Sequence, residues 1–212
     1  MVDTIDGSGG WWRRHGLVVF LLALAASISL ILRVLYSYQL ISTCDVYYCF
    51  AGGSDSFYHA RVMQYIITYH TNLIHDAALN YPLGYTNPRE PLFDWMNAIF
   101  GILLAPFFGG NAVQAGMWVL EMQPAIWAAL GVFPVYLLGK EVSSRRMGVV
   151  AALLFPLIVG NMESTVATYA NYLSFYAFFV VLSLALFIHT AKLAGTRRWV
   201  ESYRSPRAVW AG

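Results

Sequence analysis

Residues 16–32 read GLVVFLLALAASISLIL, a run without one charged side chain. If Arg33 snorkels, the run extends to Tyr36 and reaches the roughly 20 residues a helix needs to cross hydrocarbon. Arg13 and Arg14 precede it. It is too long for a signal-peptide core and lacks a convincing small-residue cleavage site, so it reads as an uncleaved anchor. Similar apolar runs follow at Leu92–Phe108, Ala112–Leu138, Met147–Gly160 and Tyr172–Thr190. The whole chain is 58% hydrophobic and 11% charged, with mean hydropathy +0.56. A soluble domain carries about 25% charge to keep its surface wet. The fold expected is therefore all-α and integral to a membrane. A net charge of +2 with no aromatic-interleaved basic run excludes nucleic acid as a partner.

Arginine and lysine set the orientation, because cytoplasmic loops collect them. Ten of the 13 basic residues fall in three groups: Arg13 and Arg14; Lys140, Arg145 and Arg146; and Lys192, Arg197, Arg198, Arg204 and Arg207. All three groups face inward only if four runs cross and Leu92–Phe108 stays at the outer face. The expected layout is a cytoplasmic N-terminus (1–15), span one (16–36) and a long outer loop with interfacial helices (37–115). Span two (116–138), a cytoplasmic turn (139–146), span three (147–160), a short outer loop (161–171), span four (172–191) and a basic cytoplasmic tail (192–212) complete it. Cys44 and Cys49 match neither a zinc pattern nor a two-spaced redox pair. They leave two readings open, a disulfide if the segment is extracytoplasmic or two apolar thiols at an interface.

The long outer loop concentrates acidic residues, Asp45, Asp55, Asp76, Glu90 and Asp94 among them, while the spans are nearly free of them. Within it, Asp55 opens a segment whose Val62, Met63, Ile66, Ile67 and Ile74 follow helical spacing, describing an amphipathic helix. Spacing alone makes Asp55 an ordinary cap that accepts bonds from free backbone N–H groups. It makes His59 and Arg61 headgroup-facing residues and Tyr58 part of an aromatic belt.

Asp-Ser-Phe-Tyr-His-Ala-Arg at 55–61 resembles the Asp-x-Tyr-Tyr-His-x-Arg motif of archaeal and eukaryotic oligosaccharyltransferase catalytic subunits. Asn80-Tyr81-Pro82-Leu83-Gly84, followed by Pro91-Leu92-Phe93-Asp94, resembles the same external loop further on. Pro134 to Glu141 and Gly148 to Leu154 are similar to that family's cytoplasmic turn and next span. The resemblance covers roughly Arg33 to Thr190 and implies the N-terminal part of a class C-like membrane glycosyltransferase. Such an enzyme transfers a glycan from a lipid-linked oligosaccharide, carried on a polyprenyl (di)phosphate, to asparagine of an acceptor Asn-x-Ser/Thr polypeptide. The resemblance makes Asp55 catalytic and a ligand to Mg²⁺ or Mn²⁺, a role that suits a hard cation's preference for carboxylate oxygen. Arg33, one turn from the outer end of span one, is a candidate for the lipid pyrophosphate as well as for snorkelling, and His59 and Arg61 are further candidates. The active face would be extracytoplasmic, in an archaeal-type cell membrane or, in a eukaryote, the endoplasmic reticulum.

Two departures stand out. The family's second acidic motif falls on Thr168-Tyr169-Ala170-Asn171-Tyr172, where Ala170 and Tyr172 occupy the acidic positions. Glu163 and Asn171 are the nearby substitutes as metal ligands. The family's sequon-binding Trp-Trp-Asp-Tyr-Gly motif has no counterpart, so the chain by itself is expected to be inactive. A protein O-mannosyltransferase, or a non-catalytic relative that binds polyprenyl lipid or a partner subunit, are the competing readings.

Cysteine-accessibility labelling tests the topology. Single cysteines near Arg145 and near Arg204 should label only from the cytoplasmic side, and labelling of either from outside contradicts four crossings with both termini inside.

Overall fold

The computed structural model describes residues 8–43 and 49–204. Eight α-helices account for most of them: α1 (Ser8–Thr43), α2 (Gly53–Tyr69), α3 (Pro91–Leu104), α4 (Ala112–Leu130), α5 (Val132–Val142), α6 (Arg145–Leu154), α7 (Val159–Glu163) and α8 (Leu173–Arg204). A two-residue ladder pairs β1 (His75–Asp76) with β2 (Tyr85–Thr86), antiparallel, His75 opposite Thr86. Among the described residues, four helical stretches are long and apolar enough to cross a membrane: His15–Gln39, Pro91–Phe108, Ala112–Val142 and Leu173–Gly195.

Expected spans one and two lie within His15–Gln39 and Ala112–Val142, and span four, but for Tyr172, within Leu173–Gly195; Pro91–Phe108, expected to stay at the outer face, is also long and apolar enough to cross. Expected span three does not form one continuous helix. α6 stops at Leu154, Phe155–Leu157 tightens into a 3-10 turn containing Pro156, and α7 begins at Val159. The cause is Pro156, which cannot donate the backbone bond an α-helix needs there. The outer stretch Leu92–Phe108, expected to be helical, is α3 plus a 3-10 turn, and it ends on left-handed Gly109 and Gly110. Pro91 at the first turn of α3 suits that position, since its missing N–H would be unpaired anyway.

The main core sits where α2, α3, α4 and the start of α8 meet. Met63, Ile66, Phe93, Ala98 and Leu120 are at most 1% exposed there. The apolar face foreseen for α2 is buried at Val62, Met63, Ile66 and Ile67, but Ile74 lies beyond the end of the helix and is exposed. A smaller cluster joins Leu22 and Ala25 of α1 to Val132 and Ala152. Outward, Leu17, Phe20, Leu35, Val180 and Phe187 are among many large apolar side chains left exposed. Such a surface fits lipid rather than water. Cys49 is disulfide-bonded, while Cys44 lies outside the described residues.

Glycine permits the closest helix approach. A Cβ on Gly101 of α3 would lie 2.7 Å from Cα of Gly116 on α4 and 2.9 Å from the Ala112 carbonyl oxygen. Gly101→Leu should therefore destabilise the fold by about 1–3 kcal/mol through overpacking. Thermal unfolding in detergent reads this, and a Tm equal to wild type contradicts the close approach.

Candidate functional site

α2 begins after Gly52, whose position caps the helix without a side-chain hydrogen bond, so Asp55 is not the cap. Asp55 instead turns its carboxylate to two other segments. The Arg89 guanidinium donates to Oδ1, and Asn171 Nδ2 donates to Oδ2 at 3.0 Å. The loop that ends at Asn171 thus reaches Asp55, and it brings an amide. Ala170 beside it is fully buried, and the Tyr172 ring packs edge-on against His59 with centroids 5.6 Å apart.

Arg89 is held from several sides. Its guanidinium carbon sits 4.5 Å from the centre of the Tyr58 ring, and its backbone N–H donates to Asn87 Oδ1 at 3.1 Å. Neighbouring Glu90 accepts a 2.9 Å bond from the Tyr176 hydroxyl of α8. The Tyr58 ring and the Asp55 carboxylate together stabilise the cation.

His59 lies one helical turn beyond Asp55 and is 1% exposed. Its Nδ1 is 2.7 Å from Asp94 Oδ1, and its Nε2 is 3.9 Å from Asp55 Oδ2. Neither His59 Nε2 nor Asp94 Oδ2 has a hydrogen-bond partner among the described residues. The imidazole therefore lies between two carboxylates, Asp55 on α2 and Asp94 on α3, and is within hydrogen-bond distance of Asp94 alone. In the sequence Asp94 stands out as an acidic loop residue within the Pro91–Asp94 stretch, without a site role, and Arg89 not at all; separations of 35 and 34 residues carry no periodic signal that pairs them with His59 and Asp55.

The remaining candidates are dispersed. Arg33 is fully buried; its Nε donates to Thr165 Oγ1 at 2.7 Å and its Nη1 to Ser29 Oγ at 2.8 Å. With the Ser37 hydroxyl on the Ala167 carbonyl, it fastens α1 to the loop that ends at Asn171. On α4 the Glu121 carbonyl accepts from Thr168 N–H at 2.7 Å, and Gln123 Nε2 donates to the Asn171 carbonyl at 3.1 Å. Arg61 clasps Asp76 with two bonds, 2.7 and 2.9 Å, yet stays half exposed. It also lines a hollow of about 870 Å³ with Phe57, Gln64, Asn111 and Met117, a space whose lining includes neither Asp55 nor His59. Glu163 is exposed at the end of α7.

No protein-family model matches the chain. A dolichyl-phosphooligosaccharide-protein glycotransferase of Archaeoglobus fulgidus is 29% identical over 186 residues, covering 87% of this chain and 20% of that protein. The apo crystal structure of the Archaeoglobus fulgidus oligosaccharyltransferase superposes with TM-score 0.73 and 28% identity, over 84% of this chain and 20% of that one. The chain is homologous to archaeal oligosaccharyltransferases. The glycotransferase AglB of Haloferax volcanii is 26% identical over 114 residues, 53% of this chain and 11% of that protein. The chain thus spans about a fifth of the length of the first of these oligosaccharyltransferase relatives. Other structures of the Archaeoglobus protein carry an inhibitory peptide with a dolichol-phosphate, zinc with sulfate, or a tethered acceptor peptide with an NVT sequon.

A hard divalent cation needs several anionic oxygens turned toward it. At Asp55 the facing groups are the Arg89 guanidinium and the Asn171 amide nitrogen, both donors. Among the described residues no three His, Cys, Asp or Glu side chains, Glu163 included, gather to hold a metal. As arranged, these side chains do not fit a resident Mg²⁺ or Mn²⁺.

The Arg61 guanidinium holds the Asp76 carboxyl below its ordinary range, and the Ala78 N–H reinforces this against burial. A depressed folded value contributes stability above the unfolded carboxylate value, about 3.9, and loses it as pH falls through the lower folded value. Asp76→Asn should therefore cost stability by a constant amount between about pH 5 and 7, narrowing below about pH 4. A cost that persists undiminished at pH 2 contradicts the ion pair.

Proposed function

We propose that the chain is the N-terminal membrane part of an oligosaccharyltransferase, acting on a lipid-linked oligosaccharide and an Asn-x-Ser/Thr acceptor. The observation that carries this reading is the meeting of Asp55 on α2 with Asn171 of the short outer loop, at 3.0 Å, inside a region homologous to such enzymes. An acceptor amide nitrogen is a poor nucleophile because its lone pair is delocalised. A carboxylate that accepts its N–H hydrogens weakens that delocalisation, and Asp55 is the acidic side chain in place for it. Of the three basic candidates for the lipid pyrophosphate, Arg33 and His59 are buried and Arg61 is the one open to an outer hollow. The Mg²⁺ or Mn²⁺ implied by the resemblance has no set of anionic ligands among the described residues, so no step is assigned to it.

The reading places Asp55 at the extracytoplasmic face of an archaeal-type cell membrane, or of the endoplasmic reticulum were the chain eukaryotic. It also keeps α3 outside the bilayer. Ala112–Val142 spans 31 residues, about 46 Å of helix, against about 30 Å of hydrocarbon. The excess leaves roughly ten residues to project. Glu121 and Gln123, which bond the outer loop, lie about that far from its start, and Gly101 of α3 packs on the part before them.

A second reading is favoured by the neutralised Asp55: a non-catalytic relative that binds polyprenyl lipid. Photoreactive dolichyl phosphate tests what both readings share. The chain in nanodiscs should label saturably, with competition by unmodified dolichyl phosphate, and absence of competed labelling contradicts both. Incubated with lipid-linked oligosaccharide and an Asn-x-Thr peptide, the purified chain should give no glycopeptide. Robust transfer contradicts the view that this part is incomplete alone.

A further inference from the structure

We infer that Arg89 acts as a built-in cation for Asp55, and that a divalent metal ion reaches this carboxylate only by displacing the guanidinium. The inference rests on the geometry at Asp55 and holds whether or not the chain takes part in glycan transfer.

Three observations lead to it. Asp55 is about a quarter exposed, and each of its two oxygens has a donor of its own, one cationic and one neutral. An incoming ion therefore meets a carboxylate whose charge is already balanced, and it must strip a charge-assisted bond before it gains a ligand. Second, Arg89 is not a mobile surface arginine. The Tyr58 ring beneath it, the Asn87 side chain on its backbone and the Glu90–Tyr176 bond next to it fix the strap that presents it. The entropy usually spent in holding a long side chain in one place is largely spent already by the fold. Third, the two positions where acidic residues would strengthen a cation's hold are Ala170, buried and without an oxygen on its side chain, and Tyr172, whose ring packs against His59 and Phe93. Nearby Asp94 is already within hydrogen-bond distance of His59. What the loop does send to Asp55 is the Asn171 Nδ2, a donor that supports a bare carboxylate but repels a metal ion.

The consequence is a site whose electrostatic balance is internal. The positive charge next to Asp55 is present without any ion, anchored to the chain at a fixed distance. The same guanidinium still presents N–H groups not used on Asp55, and it remains partly open to the outer face, about 28% exposed.

Mn²⁺ alone is the probe, and binding to the full 212-residue chain in detergent is followed by electron paramagnetic resonance. Wild type should show little saturable binding. Arg89→Gln, which keeps polar contact but removes the charge, should bind one Mn²⁺ at least about tenfold more tightly, the scale of one lost charge-assisted bond. Arg89→Lys keeps the charge and should stay near wild type. Adding Asp55→Asn to Arg89→Gln should abolish the gain. Elution as a single monodisperse peak and a cooperative unfolding transition well above the assay temperature certify each variant. Should Arg89→Gln fail to fold, Asn171→Asp provides the second arm: it adds a carboxylate 3.0 Å from Asp55 and should raise affinity by less than Arg89→Gln would, because Arg89 still competes. Binding by Arg89→Gln no tighter than wild type overturns the inference. So does tight, Asp55-dependent binding by wild type that Arg89→Gln leaves unchanged, or an Asn171→Asp chain that saturates at micromolar Mn²⁺ with Arg89 intact.

Discussion

A carboxylate that folding leaves only about a quarter exposed has little water to spread its charge, so its neighbours must do so. Asp55 meets that constraint by drawing together three segments distant in sequence: the first turn of α2, the strap around Arg89 ahead of α3, and the outer loop ending at Asn171. Much of the surrounding structure fixes one or another of them. Arg33 and Ser37 of α1 hold the loop from one side, and Glu121 and Gln123 of α4 from the other. The His59–Asp94 contact locks α2 to α3 directly behind the site. Met63 and Ile66 of α2 then seal the apolar side of the same helix against α4 and α3.

Arg33 illustrates how a membrane-embedded charge can be structural. It was expected to snorkel or to meet a lipid pyrophosphate, and instead it is fully buried with Thr165 and Ser29 as partners. Its Nη2 has no hydrogen-bond partner among the described residues. Two hydroxyl-bearing residues supply what a sequence of apolar character hides, because serine and threonine in an apolar run read as tolerated rather than as ligands.

The apolar runs and the amphipathic α2 were legible because both depend on local pattern: the absence of charge over about 20 residues, and apolar positions recurring every turn. Membrane character follows from that alone, but the four span-competent helices are not the four spans expected: Pro91–Phe108 is among them and 147–160 is not. The break after α6 was less legible, since hydropathy does not weigh the effect of Pro156 on a short helix. The site was legible only on one side. Asp55 and His59 share a motif within five residues, whereas Arg89 and Asp94 come from a separate segment and join them only by folding. The motif made Asp55 a metal ligand by resemblance; the donors that fold onto it argue for charge balance by the chain itself. Asn171 was visible as a candidate, but with the wrong end of its amide, since its nitrogen rather than its oxygen meets Asp55.

A double-mutant cycle on Asp55 and Arg89, read as unfolding stability in detergent, bears most directly on the idea that this pair organises the site. Asp55→Asn and Arg89→Gln should each destabilise the chain, and the double variant should cost less than the two together by about 1 kcal/mol or more, the coupling expected of residues in contact. Strict additivity within about 0.3 kcal/mol would mean that the two side chains do not depend on each other, and would contradict the account.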